Sequence, residues 1–174
     1  MSFALRGIIV SPLCEGSTIV FPPLPKGGLG GFEAFFMQRY QLFDHTADLG
    51  IQVFGKTLEE LFVNGAYALF DLIADLKGVR QEVVRNIAAD GLDLNDLWVN
   101  YLRECLYLFH GEALLVSDCH IAAITHKHVT ATLRGEFFDP ARHEIRQELK
   151  AVTYHQATIQ ETPQGWRGKV IFDV

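Results

Sequence analysis

The chain has 174 residues, of which 49% are hydrophobic and 21% are charged, and its formal net charge is −6. This size and composition predict one folded domain with a single core and exclude a mainly disordered chain. The acidic balance argues against direct, tight binding of nucleic acid, because phosphate backbones repel a negative surface. A basic protein partner or metal ions would suit this charge better.

Residues 1–36 differ from the rest of the chain in amino-acid composition and patterning. They hold two basic and two acidic residues, and seven of the ten residues in the run 22–31 are proline or glycine, which is typical of extended or flexible backbone. Regular patterning begins only after Met37. We therefore predict a folded domain at 37–174 and interpret 1–36 as an N-terminal extension upstream of a start at Met37. A native but mobile tail is the alternative.

The first half of the predicted domain alternates strands with helices. Residues 39–43 have strand character, and the apolar alternation of 49–54 is typical of a half-buried strand. Thr57 and Glu60 have the spacing of a capping box in which Glu60 reaches back to the Thr57 amide, so a helix is predicted over 57–74.

A strand over 79–88, the Asp90-Gly91 turn and a cap at Asp93 come next. They lead into a second helix with a broad apolar stripe from Leu94 to Phe109.

The residue pattern of the second half predicts mainly β-strands. One or two strands are predicted at 114–123, and single strands are predicted at 129–133, at 149–160 with a bend, and at 166–174. Together these elements predict an α+β, two-layer domain, with a mixed β-sheet of about seven strands and two main helices on one face.

Three ionisable side chains, Asp44, His45 and Asp48, precede the strand at 49–54, which is a common way to place a site on a rigid support. A solvated surface turn is the alternative. His45 has the chemistry of a metal ligand, a general base or a structural hydrogen bonder.

The C-terminal end carries two further carboxylates, on the side chain of Asp173 and on the main chain of Val174. If the last strand pairs near residues 43–48, these groups converge with Asp48. Three hard oxygen donors would suit Ca²⁺ or Mg²⁺, and without a cation they would repel one another. Convergence therefore predicts a divalent metal.

Other motifs carry less weight. His126 and His128 have metal-ligand spacing, but the lysine between them favours a solvated turn over a zinc site. The polar run 150–155 suggests that one face of its strand looks toward the same polar region as Asp48. The absence of P-loop, G-x-G-x-x-G and G-x-S-x-G motifs argues against a nucleotide hydrolase, a dehydrogenase or a serine hydrolase.

Cysteine usage and hydropathy add two expectations. The three cysteines form neither a disulfide framework nor a zinc motif, and Cys105 lies in the apolar helical pattern, which indicates the core. No apolar run approaches the length of a membrane span, so a cytoplasmic location is expected.

Four separated motifs resemble those of the archease family. The segments 44–50, Asp-His-Thr-Ala-Asp-Leu-Gly, and 55–62, Gly-Lys-Thr-Leu-Glu-Glu-Leu-Phe, are similar to its N-terminal signature. The segments 150–155, Lys-Ala-Val-Thr-Tyr-His, and 170–174, Val-Ile-Phe-Asp-Val, are similar to its C-terminal signatures. The resemblance spans 38–174 in order and spacing.

This resemblance implies a non-catalytic accessory protein. Archeases assist the GTP-dependent RNA ligase of tRNA splicing and RNA repair, promote guanylylation of that ligase's active-site histidine and support multiple turnover. The resemblance further implies that Asp48, Asp173 and the terminal carboxylate of Val174 bind a divalent metal, and that His45 and Lys150 occupy further motif positions. The alternatives are a metal-dependent hydrolase with His45 as base, and a general chaperone or adaptor whose acids are only solvated surface.

Overall fold

The computed structural model describes residues 38–44 and 48–174. Their elements, in chain order, are β1 (Tyr40–Asp44), β2 (Leu49–Gly55), α1 (Leu58–Ile73), a short 3-10 helix (Leu76–Gly78), β3 (Val83–Asp90), α2 (Leu94–Glu112), β4 (Leu114–Ile124), β5 (His128–Phe137), β6 (Ala151–Thr162) and β7 (Gly165–Asp173). Within the described ranges, no helix has the length and apolarity that a membrane span requires.

The seven strands form two sheets. The first sheet has the order β1-β2-β7-β6 and the second has the order β3-β5-β4, with every neighbouring pair antiparallel. The predicted α+β class, with about seven strands and two main helices, is confirmed. The single mixed sheet of the prediction is corrected to two antiparallel sheets, because side-chain periodicity reports which face of a strand is buried but not which strand lies beside it.

Both helices contact both sheets, rather than lying on one face of a single sheet as predicted. α1 packs against β2 and β7 of the first sheet and against β4 of the second, and α2 packs against β6 and β3. This arrangement follows from the wide buried surface of each helix. In α1 the buried residues cover most of the helix circumference, so the helix needs packing partners on more than one side.

Trp98 of α2 lies at the centre of the core. Its side chain is fully buried, and the Phe62 ring of α1 meets it edge-on with centroids 5.1 Å apart. The Trp98 indole N–H donates to the main-chain oxygen of Lys169 in β7 at 3.2 Å. This hydrogen bond fixes α2 against the same strand that ends at Asp173. Cys105 is also fully buried, as predicted.

The helix caps agree with the prediction except in one hydrogen bond. Thr57 Oγ1 accepts from the Glu60 N–H at 3.1 Å, but Glu60 Oε2 accepts from the Lys56 N–H at 2.8 Å rather than from the Thr57 amide. The extended backbone at Thr57 turns the Lys56 amide toward the first helical turn. Asp93 caps α2 by accepting from the Asn95 and Asp96 amides, each at 2.9 Å.

Two β boundaries are also informative. The strand predicted over 79–88 runs instead from Val83 to Asp90. The backbone N–H of Arg80 is bonded to Glu136 Oε1 at 2.8 Å, so it does not join a strand ladder. The predicted bend in the 149–160 strand is confirmed as a break in the register of β6 with β7 between Thr153 and Thr158.

Candidate functional site: an acidic strand end

The antiparallel register of β2 with β7 brings the two predicted aspartates to the same end of the first sheet. The final pair of this register is Leu49 with Phe172. Asp48 immediately precedes Leu49, and Asp173 immediately follows Phe172. Opposite residues in antiparallel strands have Cα atoms about 5 Å apart, a spacing that lets two aspartate side chains share one ion. Asp48 is half-buried and Asp173 is exposed.

Lys150 and Val174 lie at the same place. The Lys150 N–H donates to the Asp173 main-chain oxygen at 2.8 Å, and its ammonium donates to the main-chain oxygen of Val174 at 2.9 Å. Lys150 therefore holds the end of β7 by both its backbone and its side chain. We call the group formed by Asp48, Asp173, Lys150 and the terminal carboxylate of Val174 the acidic tip.

His45 lies outside the described residues, as do Thr46 and Ala47, so its predicted role stays a prediction. Within 38–44 and 48–174, no three His, Cys, Asp or Glu residues are grouped so that they could hold a metal ion. The donor set predicted from the sequence is of another kind, since it combines two side-chain carboxylates with a main-chain terminal carboxylate.

The chemistry of this donor set fits a hard divalent cation. Carboxylate oxygens are the ligands that Ca²⁺ and Mg²⁺ prefer, and both ions complete their coordination with water. Three carboxylates and one ammonium make the acidic tip negative overall. The Lys150 ammonium already binds the Val174 oxygen, so it would position that carboxylate and moderate the charge that a cation meets.

A packed row of residues that was not predicted from the sequence lies two rows inside the acidic tip. Phe43, Gly50 and Ile171 are opposite one another on β1, β2 and β7. A side chain at Gly50 would overlap the Phe43 ring, and the Lys169 ammonium lies 5.6 Å from the centroid of that ring. Glycine inside a strand is the available signal, because it often marks such a close approach.

The polar run 150–155 serves two places rather than one. Lys150 belongs to the acidic tip, but the Tyr154 hydroxyl donates to Asp96 Oδ1 on α2 at 2.6 Å. The Arg103 guanidinium lies 4.5 Å from the Tyr154 ring centroid. This hydrogen bond from Tyr154 lowers the pKa of Asp96 and raises that of Tyr154. The bend in β6 therefore divides the run between the tip and the helix.

The two histidines of the HxH motif are on the second sheet. His128 Nδ1 lies 2.7 Å from Asp90 Oδ1 on the neighbouring strand, and His126 is exposed in the preceding turn. The turn predicted there is confirmed in position, with His128 opening β5.

The fold is that of a small α+β protein, with two antiparallel sheets packed against two helices. Its candidate site is the acidic tip, where carboxylates lie at one strand end. Comparison with known proteins shows the family to which this chain belongs. A sequence model of the Archease protein family (MTH1598/TM1083) matches residues 40–174, and the chain belongs to this family.

Relatives and solved structures agree with this assignment. The chain is 38% identical over 143 residues to protein archease of Pyrococcus furiosus, covering 79% of this chain and 100% of that protein. It is 36% identical over 141 residues to protein archease of Methanosarcina barkeri, covering 79% and 97% of the two chains.

Two solved structures share the fold. The solution structure of Methanobacterium thermoautotrophicum protein 1598 has a TM-score of 0.68 and 30% identity, covering 78% of this chain and 99% of that one. The crystal structure of a Thermotoga maritima protein described as "an archease, possible chaperone" has a TM-score of 0.52 and 20% identity, covering 76% and 94%. At that identity the second likeness supports the fold alone.

Proposed function

We propose that this protein activates a GTP-dependent RNA ligase of tRNA splicing and RNA repair, by promoting guanylylation of the ligase and its multiple turnover. Membership of the archease family supports this role. The observation that carries the proposal is the β2–β7 register, in which the last pair, Leu49 with Phe172, leaves Asp48 and Asp173 at one strand end.

In this proposal Asp48, Asp173 and the Val174 carboxylate hold Ca²⁺ or Mg²⁺. When bound, the ion supplies positive charge that offsets phosphate charge during nucleotidyl transfer. The chain's own residues present and orient the donors. Lys150 anchors the Val174 oxygen, and the buried Phe172 anchors the strand end from the core side.

The acidic tip docks at the active site of the ligase, and the ligase carries the covalent chemistry. This protein is then an activator rather than an enzyme. A negative tip suits a partner surface that binds nucleotide and RNA phosphates, because such surfaces are positively charged. The negative charge of the chain as a whole fits association with a basic protein rather than with RNA directly.

The test is a ligase guanylylation assay with this protein present at less than one equivalent of ligase. Asp48→Asn and Asp173→Asn should each lower the stimulated rate by at least about tenfold, since even outer partners of a metal site contribute roughly 10–100-fold. Both variants keep side-chain volume, and calorimetric titration with Ca²⁺ or Mg²⁺ should show the same order of loss.

Asp118→Asn is the matched control. Asp118 lies on β4 of the other sheet and is partly exposed, with Arg134 at 3.7 Å, so this variant should stimulate the ligase like the wild type. A fourth variant carries one glycine added after Val174. This addition moves the terminal carboxylate by about 3.8 Å and should weaken cation binding. Equal stimulation by all four variants would reject the proposal.

A general chaperone is the competing function, and it is named in the description of the Thermotoga maritima structure that shares this fold. A chaperone would raise the yield of active ligase during refolding, and it would do so with Asp48→Asn and Asp173→Asn as well as with the wild type. Stimulation of ligase that is already folded separates the two functions.

A further inference from the structure

A second candidate site lies at the opposite end of the first sheet from the acidic tip. It is a cavity of about 350 Å³ between the start of α1, the end of β2 and the hairpin that joins β6 to β7. Gly55 pairs with Trp166 at this end and Leu49 pairs with Phe172 at the other. Leu49 and Gly55 are six residue steps apart along β2, which is roughly 20 Å, so the two sites do not share donors.

The cavity collects positive charge in an otherwise acidic chain. Its lining contains Arg39, Lys56 and Arg167 against one carboxylate, that of Glu60. Glu60 Oε2 already accepts the Lys56 N–H at 2.8 Å as part of the helix cap. Three cationic residues and one acidic residue therefore line the cavity of a chain whose net charge is −6. The Arg39 guanidinium also lies 4.2 Å from the Tyr67 ring centroid, so Lys56 and Arg167 are the groups that would bind an anion.

Arg167 supplies a second, independent observation. Its Nε atom is buried and has no hydrogen-bond partner among the described residues. Leaving a buried N–H unmatched costs free energy, and such a group in a folded protein calls for a partner. The guanidinium lies 5.9 Å from the Phe54 ring centroid. The nearby Phe54 ring would restrict the orientation of the guanidinium and so prepare it to bind an oxygen anion.

Two aromatic rings complete the lining. Phe54 and Trp166 lie on the paired ends of β2 and β7, and both line the cavity with half-buried side chains. Aromatic faces stack on flat heterocycles, and arginine binds phosphate through two parallel N–H groups. A volume of 350 Å³ is near the lower end of the range of small-ligand sites, which suits one mononucleotide rather than a polymer.

We propose that this cavity binds a nucleoside monophosphate, with the base against the Phe54 ring, which lies beside Arg167, and the phosphate on Arg167 and Lys56. The site uses no residue of the acidic tip, so it stands independently of the ligase role. Nucleotide binding in the cavity would therefore not require the ligase.

The test is a titration of the full ¹⁵N-labelled chain by two-dimensional NMR with AMP, UMP, adenosine and inorganic phosphate. AMP or UMP should shift the amide signals of residues that line the cavity and bind at least about tenfold more tightly than adenosine or phosphate alone. Tenfold corresponds to the roughly 1.4 kcal/mol expected of one charge-assisted contact.

Arg167→Gln and Lys56→Gln should each weaken nucleotide binding by about tenfold. Lys56 is exposed, so its replacement keeps the test valid if Arg167→Gln fails to fold. Lys127→Gln, an exposed lysine in the turn before β5, is the matched control and should bind like the wild type.

Three outcomes would overturn the proposal. The first is an absence of shifts at about 10 mM nucleotide, which would mean a binding free energy weaker than roughly 3 kcal/mol. The second is equally tight binding of adenosine or phosphate alone. The third is a set of shifts confined to the acidic tip. None of these outcomes bears on ligase activation, which is measured in a different assay.

Discussion

Glu136 shows how one buried carboxylate ties a long connection to the fold. Its side chain is 7% exposed and accepts from Arg142 Nη1 at 2.6 Å and from the Arg80 N–H at 2.8 Å, and His143 Nε2 lies 3.2 Å away. These contacts fasten the segment between β5 and β6. The Arg142 guanidinium lowers the pKa of Glu136 to about 2, against the opposing effect of burial.

The Glu136 carboxylate makes stability depend on pH. Its pKa is lower when folded than when unfolded, so its contribution to the free energy of unfolding is present above about pH 4.5 and is lost as the pH falls toward 2. Glu136→Gln should lower the free energy of unfolding by about 3 kcal/mol at pH 7, as expected for a broken buried ion pair.

Urea unfolding at several pH values between about 7 and 3 measures this effect. The difference between wild type and Glu136→Gln should shrink as the pH falls. Glu144→Gln, an exposed glutamate in the same segment, should stay parallel to the wild type. A difference between Glu136→Gln and wild type that is constant over this pH range would contradict the assignment.

The donors of the acidic tip differ in how far sequence could identify them. Asp48 and Asp173 stand out as acids beside apolar strands, and both motifs resemble archease signatures. The contact of the Lys150 ammonium with the Val174 oxygen is not visible in the sequence, because a lysine next to a strand usually extends into solvent. The tertiary pairing of β6 with β7 creates it.

At the scale of elements, the contact of α1 with α2 depends on a glycine. Gly65 lies inside α1 and is buried, and a methyl group there would overlap the fully buried Trp98 ring. On helix propensity alone, alanine would be better than glycine by roughly 1 kcal/mol. The close packing of the indole against the α1 backbone therefore outweighs propensity at this position.

Gly65→Ala should lower the free energy of unfolding by about 2 kcal/mol, the cost typical of overpacking a core. Thermal and urea unfolding give the measurement. Gly78→Ala is the control, because a methyl group at Gly78 would have no other atom within 4 Å and the φ of Gly78 is not in the left-handed region. Gly78→Ala should be neutral or slightly stabilising, and a stabilised Gly65→Ala variant would contradict the packing.

Elements were predictable where a local signal marked them. Thr57 and Asp93 begin the helices, and alternation marks β2, β5 and β7, because caps and side-chain period depend on neighbours in sequence. The start of β3 was misplaced because the Arg80 amide bonds to Glu136, a residue 56 positions away. Such long-range hydrogen bonds leave no local pattern.

For the whole molecule, we predict that residues 37–174 fold without the first 36. Among the described residues, the core extends from Ile51 to Phe172, and the family match begins at residue 40. A chain that starts at Met37 should have the same urea midpoint and m-value as the full chain, because the same apolar surface is buried.

Urea unfolding of both chains, followed by circular dichroism, tests this prediction. A lower midpoint with an unchanged m-value would mean that residues 1–36 stabilise the fold, and a lower m-value would mean that they contribute buried surface. Either result would contradict the division of the chain at residue 37.

The amino-acid sequence alone was enough to predict the α+β class, the helices and most strands, because composition, caps and periodicity act locally. The motifs that contain Asp48 and Asp173 were recognised separately, through their resemblance to archease signatures. The division into two sheets, the position of both helices against each of them, and the placement of Asp48 and Asp173 at one strand end depend on the tertiary fold. These features depend on which strands pair, and β2 pairs with β7 across more than a hundred residues. Such pairing depends on burying one shared core, in which Trp98 is fully buried, and that core is built from residues far apart in the sequence.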